Sequence, residues 1–269
     1  MRGLKGKNVL ITGGTSGIGQ AIAVRFAEYG SNVAINYLRQ PQEATETEQQ
    51  VHACVNRVHQ EGVQDVLVQG DVSKEDDVVR MVDDASQQLG GLDVLINNAG
   101  IQISKPSHEL TSAEFDKVLA VNLRGSFLCA REAIRRFVKA GTPGVVINVS
   151  SVHQRIPKPS YLGYSVSKGG MQNLTTTLAL EYARNDIRIN AVAPGATITP
   201  INRAWVDDPV KKEQVESHIP LHRPGTADEM GGVACFLASD DAAYITGQVI
   251  YVDGGLTLYA DFREPWSSE

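Results

Sequence analysis

Seven short Val- and Ile-rich runs, alternating with longer amphipathic stretches, predict a doubly wound (Rossmann-type) α/β fold: one domain with a parallel sheet and helices on both faces. A glycine-rich turn between the first run and the first amphipathic stretch points the same way, as does a chain of 269 residues that is 42% apolar. The runs are Asn8–Thr12, Asn32–Tyr37, Asp65–Gln69, Leu92–Asn97, Gly144–Ser150, Ile187–Ala193 and Gln248–Val252. Turn residues bound each run, and continuous apolar character marks strands buried on both faces. Helices are expected at Gly17–Tyr29, about Thr45–Gln60, Ser73–Leu89, Ser112–Lys139, Tyr164–Ala183 and Thr226–Ala238. The last starts on Thr226-Ala227-Asp228-Glu229, which has the form of a capping box. Two segments break the alternation. Leu38–Gln60 is long and polar, and Thr199–Pro224 follows the sixth strand without strand character, as a cap over a pocket would.

A net charge of −6 gives no basic footprint for nucleic acid. Cys54, Cys129 and Cys235 have neither paired nor metal-ligand spacing and read as reduced thiols. His52 and His59 stand seven apart on a polar stretch, so no metal centre is expected. The first residues lack the apolar core of a signal peptide and no run reaches transmembrane length, so a cytoplasmic protein is expected.

Tyr164 and Lys168 stand at i and i+4, on one helix face, thirteen residues after Ser151. An ammonium beside a phenol favours the phenolate, and a serine hydroxyl nearby can hold a substrate oxygen. Together they make a general acid–base site for alcohol and carbonyl chemistry. The turn Thr12-Gly13-Gly14-Thr15-Ser16-Gly17-Ile18-Gly19 permits close backbone approach to a pyrophosphate at a helix N-terminus. The second strand ends Asn36-Tyr37-Leu38-Arg39, with no acid for a ribose 2′-hydroxyl. Arg39 can instead pair with a 2′-phosphate and Tyr37 can pack near adenine, which favours NADP or dual use over NAD alone. Asp71-Val72 follows the third strand, where adenine would lie. Asn97-Asn98-Ala99-Gly100 ends the fourth and leaves room for the cofactor. Asn122 falls in a helical stretch that Asn disfavours, and nearby Gly125 suggests a kink that frees backbone groups to hold a water.

These elements resemble, in order, the short-chain dehydrogenase/reductase superfamily from Leu4 to about Tyr259. The series is Thr12–Gly19, Asp71, Asn97–Gly100, Asn122, Ser151, Tyr164 with Lys168, Pro194-Gly195 with Thr199, and Asp253-Gly254-Gly255. The resemblance implies a catalytic tetrad of Asn122, Ser151, Tyr164 and Lys168. It also implies cofactor contacts from Gly13, Thr15, Ser16, Gly17, Ile18, Gly19, Asn98, Ala99, Gly100, Pro194, Gly195, Thr197 and Thr199, with Tyr164 and Lys168. Within the superfamily the chain is similar to the bacterial glucose 1-dehydrogenases through Ser150-Ser151-Val152-His153, Thr177–Ala183 and Glu216-Ser217-His218-Ile219-Pro220. That likeness implies hydride transfer from a sugar C1 hydroxyl to NAD(P), with Gln102, Ser151, His153, Tyr164 and Asn202 around the substrate. A homotetramer follows from the same resemblance, through the helices at 112–139 and 164–183 and the last strand. The chain departs from the glucose enzymes at Gln102, where they tend to carry a carboxylate, and in the length of Leu38–Gln60.

The alternatives are a 3-oxoacyl-carrier-protein reductase, whose acidic carrier Arg131, Arg135, Arg136 and Lys139 could dock, and another carbonyl or polyol reductase; as a solvated helix face the basic run needs no partner. A binding protein that keeps the fold without catalysis usually loses the tyrosine, the lysine or a loop glycine, and all are present here.

Overall fold

In the computed structural model, which describes residues 1–38, 56–59 and 61–258, all seven anticipated strands join one parallel sheet. They are β1 (Asn8–Ile11), β2 (Asn32–Tyr37), β3 (Asp65–Gln69), β4 (Val94–Asn97), β5 (Gly144–Val149), β6 (Ile187–Pro194) and β9 (Val249–Val252). Their order is β3-β2-β1-β4-β5-β6-β9. A second, two-stranded pairing joins β7 (Thr197–Ile198) to β8 (Gly225–Thr226). No apolar run announces it, because it rests on backbone bonds at the foot of the segment between them. The described helices are α1 (Gly17–Glu28), α2 (Glu75–Leu89), α3 (Ser112–Leu119), α4 (Gly125–Ala140), α5 (Leu162–Tyr182), α6 (Arg203–Val206), α7 (Pro209–Ser217) and α8 (Ala227–Ala238). Most of the helix expected at Thr45–Gln60, the loop residue Arg39 and the residues from Tyr259 onward lie outside the described residues.

Strand periodicity divides the core into two layers. Val9, Ile11, Val33, Ile35, Val94 and Ile96 point to one face and pack with Ile22 and Phe26 of α1 and Ala234 and Leu237 of α8. Leu10, Ala34, Leu95 and Val146 point to the other, against Met81 of α2 and Leu128 and Phe137 of α4. Burying such a side chain stabilises the fold by about 1.5–3 kcal/mol, so a one-residue slip in register would forfeit both layers. The β5 start is fitted to this packing: a Cβ on Gly144 would lie 2.2 Å from the Phe137 ring.

The anticipated capping box of α8 is present, with Thr226 N–H donating to Glu229 at 2.8 Å and Glu229 N–H donating to Thr226 Oγ1 at 3.2 Å. The stretch expected as one helix from Ser112 to Lys139 is instead interrupted by a π turn, Ala120–Arg124. Asn122 explains it, since its side chain binds both backbone groups of Ile101 and so leaves the helical ladder displaced. Gly125 serves packing, as a Cβ there would sit 3.0 Å from the Val72 carbonyl oxygen.

The strand order reverses between β1 and β4, so the crevice opens at their carboxyl ends. Asn36 at the end of β2 holds one wall of it. Its Oδ1 accepts from Gly13 N–H at 3.1 Å, and its Nδ2 donates to the carbonyls of Val68 (3.2 Å) and Gly70 (3.0 Å). Asn36→Ala would leave those buried groups without this partner. The expected loss of stability is about 2–3 kcal/mol in urea unfolding, and a loss below about 0.5 kcal/mol would show that the turn holds itself.

Candidate active site

The glycine turn is built by its neighbours. Gly13 (φ +59) and Gly17 (φ +55) adopt left-handed backbone that other residues resist. Thr12 Oγ1 accepts from the N–H groups of Asn98 (3.0 Å) and Ala99 (3.1 Å), which ties the turn to the end of β4. Asn98 Nδ2 in return donates to the carbonyls of Thr12 and Gly13, both at 3.0 Å. A Cβ on Gly19 would meet that amide nitrogen at 2.4 Å. The residues expected to touch a cofactor here therefore divide: Gly13, Thr15, Ser16, Gly17 and Ile18 face the cavity, whereas Gly19 lies behind it as a packing requirement.

At the other end, α5 brings Tyr164 and Lys168 beside the end of β5. Lys168 is buried, with its Nζ donating to the Val149 carbonyl at 2.7 Å and lying 5.6 Å from the centroid of the Tyr164 ring. Burial penalises the ammonium and pulls its pKa from 10.5 to about 8. Burial also pushes the Tyr164 phenol above its ordinary range, while its hydrogen bond with Ser151 draws it back. Ser151 Oγ accepts from His153 N–H at 3.1 Å, which fixes the hydroxyl at the head of a short turn. The His153 ring meets Tyr164 edge-on, with centroids 6.3 Å apart. Its Nδ1 lies 3.1 Å from the Ile156 carbonyl, so that nitrogen carries the proton and Nε2 remains an acceptor. Burial holds the ring neutral by lowering its pKa.

One cavity of about 1650 Å³ joins the two ends. Tyr37, Asp71, Val72, Asn98, Ala99, Gly100, Gln102, Ser151, His153, Tyr164, Lys168, Pro194, Gly195, Thr197, Thr199 and Asn202 all line it. Asn122 does not: it is fully buried and donates to Ser167 Oγ at 3.0 Å, holding the wall from behind. Asn202 spends its amide on the Thr197 carbonyl at 2.8 Å, and Asp71 accepts from Ser73 N–H at 2.9 Å. Sequence reasoning missed Asn36, Lys158, Trp205 and His218, which also line the cavity. None sits in a spacing pattern that would single it out. Among the described residues no cluster of metal-ligating side chains forms. Burial raises the Cys129 and Cys235 thiols to about 12, so both stay protonated.

The crevice fits a dinucleotide. Its glycine turn is bare, and Thr199 Oγ1, buried without a partner among the described residues, lies on the facing wall. A Cβ on Gly17 would be 3.6 Å from Thr199 Cβ, so the two walls stand within one contact of each other. A dinucleotide crevice ending in a Ser–Tyr–Lys site defines a hydride-transferring oxidoreductase. A family model described as enoyl-(acyl carrier protein) reductase matches residues 13–257. The chain is 51% identical to glucose 1-dehydrogenase of Gluconobacter oxydans, over 98% of this chain and 96% of that one. It is 44% identical to 3beta-hydroxysteroid dehydrogenase 1 of Eggerthella lenta, over 97% of each. The structure of a gluconate 5-dehydrogenase from Burkholderia cenocepacia in complex with NADP and tartrate superposes with a TM-score of 0.85 at 33% identity, over 94% of this chain and 96% of that one. The chain belongs to the short-chain dehydrogenase/reductase family, and it is an NAD(P)-dependent oxidoreductase acting on CH–OH groups.

The buried ammonium gives a stability signature. The unfolded chain keeps the Lys168 proton up to 10.5 and the folded chain releases it near 8. The folded cation therefore costs stability below 8, and that cost is relieved as pH rises between the two values. Lys168→Met should stabilise the cofactor-free protein at pH 7 by roughly 2 kcal/mol, about 3 from the removed charge less about 1 for the lost Val149 hydrogen bond. In denaturant unfolding the advantage should fade toward pH 10.5; an advantage that does not change with pH would contradict the assignment.

Proposed function

We propose that this chain oxidises the C1 hydroxyl of an aldose, glucose being the reference substrate, to an aldonolactone with NAD(P). The observation that carries the reading is the convergence of Ser151, His153, Tyr164 and Lys168 on one cavity wall. The 51% identity to a glucose 1-dehydrogenase supports the sugar.

Bound NAD(P) would supply the acceptor for the C1 hydride. The glycine turn with Thr15 and Ser16 would hold its phosphates, Thr197 and Thr199 with Pro194-Gly195 the nicotinamide end, and Asp71, Val72 and Tyr37 the adenine. The end of β2 carries Asn36, Tyr37 and Leu38 and no carboxylate, which supports NADP or dual use. Ser151 holds the reacting oxygen and Tyr164 takes its proton. Lys168, charged at neutral pH, stabilises the phenolate. His153, neutral and with a free Nε2, accepts from a neighbouring sugar hydroxyl. Asn122, whose side chain binds Ile101 and Ser167, would hold the π turn so that a water can link Lys168 to solvent. Residues 199–224, with Trp205 and His218 on the cavity, form the substrate cap.

For the carrier-dependent reductase, the basic run is the distinguishing feature. Arg131 pairs with Glu75 (2.6 Å) and Glu132 (2.9 Å), Arg135 with Glu132 (2.9 Å), and Arg136 with Asp83. Three carboxylates thus offset most of the run, while Lys139 forms no ion pair among the described residues; the reduced charge left for a carrier favours the sugar reading. A homotetramer is part of the proposal, supported by half-exposed Phe127 and Val138 on α4 and exposed Leu180 on α5. The cytoplasm is its proposed place, and no described helix is long and apolar enough to cross a membrane.

Tyr164→Phe should lower kcat by at least about a thousandfold, the upper range for a lost acid–base group, while cofactor affinity changes less than about threefold. Retention of most activity would remove Tyr164 from the chemistry. A cofactor-absorbance assay with both nucleotides, over aldoses, polyols and an acetoacetyl thioester, tests the substrate. Preference for the thioester would overturn the sugar reading.

A further inference from the structure

We infer that the substrate end of the cavity contains an anion subsite centred on Lys158, suited to the carboxylate of a sugar acid that also presents a C1 hydroxyl, a hexuronate. The inference rests on the proposed C1 oxidation and names a substrate class for the same site.

The charge distribution of the wall is the starting observation. The same cavity that holds Tyr164 is lined by Gln102, Lys117, His153, Lys158, Trp205 and His218, and none of these is an acid. Asp71 is the one carboxylate among the described lining residues. It lies at the far end, after β3, where it accepts from Ser73 N–H and Ser73 Oγ (2.9 and 2.7 Å). Gln102 and His153 can serve the hydroxyls of a sugar, but Lys117 and Lys158 bring positive charge that a neutral polyol does not need. An anion needs that charge, and this wall supplies it.

Lys158 is also held in place. Its Nζ sits 3.7 Å from the centroid of the Tyr161 ring, and its carbonyl accepts from Tyr161 N–H at 3.2 Å. The neighbouring Ser160 carbonyl accepts from Lys105 N–H at 2.8 Å, which pins the same loop to the 101–110 segment. Lys105 spends its ammonium on Glu114 at 3.2 Å, whereas Lys158 and Lys117 form no ion pair among the described residues. A fixed cation in a concave wall, without a protein counter-ion, is ready for an anion of the ligand. A single ammonium meets either a carboxylate or a phosphate as a point charge; the carboxylate is the anion proposed, and comparison with a sugar phosphate tests it.

Oxidation of a hexuronate follows the same balance as for an aldose. The C1 hydride leaves with its electron pair for the nicotinamide, the hydroxyl proton passes to Tyr164, and the carboxylate is unchanged.

Steady-state kinetics should compare glucose, glucuronate and glucose 6-phosphate on the wild type, Lys158→Met and Lys158→Arg, all with bound NAD(P). Glucuronate should be oxidised, and its kcat/KM relative to that of glucose should fall about tenfold in Lys158→Met, the size of one charge-assisted contact, and recover in Lys158→Arg. Added salt should raise KM for glucuronate and leave KM for glucose nearly unchanged. Calorimetric titration of the cofactor-loaded protein with glucuronate separates the two readings. Glucuronate that binds through Lys158 without any sugar being oxidised would sink the C1 oxidation and keep the subsite. Oxidation of glucose with no binding of glucuronate, a ratio unmoved by Lys158→Met, or a clear preference for the 6-phosphate would overturn the subsite.

Discussion

A positive charge buried against the end of a β-strand is the constraint on which the rest of this molecule turns. Lys168 gives up most of its hydration and receives one backbone carbonyl, Val149 O, from the described residues. That exchange is unfavourable in isolation, so the surroundings must fix the lysine where its charge is useful. Helix α5 does so by lying unusually close to the π turn: a Cβ on Gly170 would be 2.7 Å from Leu123. Ser167 links the two, donating to the Tyr164 carbonyl at 2.7 Å while accepting from Asn122. The π turn, Asn122 and two small residues of α5 thus form one device that presents Tyr164 and Lys168 together.

The opposite end of the crevice obeys a different economy, with backbone groups satisfied by asparagines. Asn36 and Asn98 bind the glycine turn from its two sides. A third, Asn97, bridges to Asn148, which donates to Thr175 of α5. This buried relay joins β4, β5 and α5, so the glycine turn and the Tyr164–Lys168 pair share one rigid frame. Gly13 and Gly14 donate their N–H groups to Asn36 at 3.1 and 3.0 Å, so the turn's shape is set within the protein and its lack of side chains is what leaves the crevice open.

The fold was legible because its strands are buried on both faces, and continuous Val/Ile runs flanked by turn residues are unambiguous at that length. The pairing of Tyr164 with Lys168 on the cavity was legible because one helical turn spaces them. The π turn was not: Asn122 announces a disturbance, but its partner Ile101 lies twenty-one positions earlier and only tertiary structure joins them. Asn36 looked like a strand residue, since nothing local shows that it reaches the Gly13 amide and the end of β3. The partners of the arginine run of α4 were hidden for the same reason, as Glu75 and Asp83 come from α2 across the layer. Helix α3 starts on a capping box, Thr111-Ser112-Ala113-Glu114, that sequence reasoning missed.

The central claim is that Lys168 makes Tyr164 a base near neutral pH although burial opposes it. The pH dependence of kcat/KM for the sugar, at saturating NAD(P) and in the oxidising direction, reports that ionisation directly. In the wild type the rising limb should fall well below the ordinary phenol value of about 10. In Lys168→Met it should move up by at least about one pH unit, while the small remaining rate still depends on Tyr164. A limb at the same pH in both proteins would show that the ammonium does not set the phenol, and the account would fail.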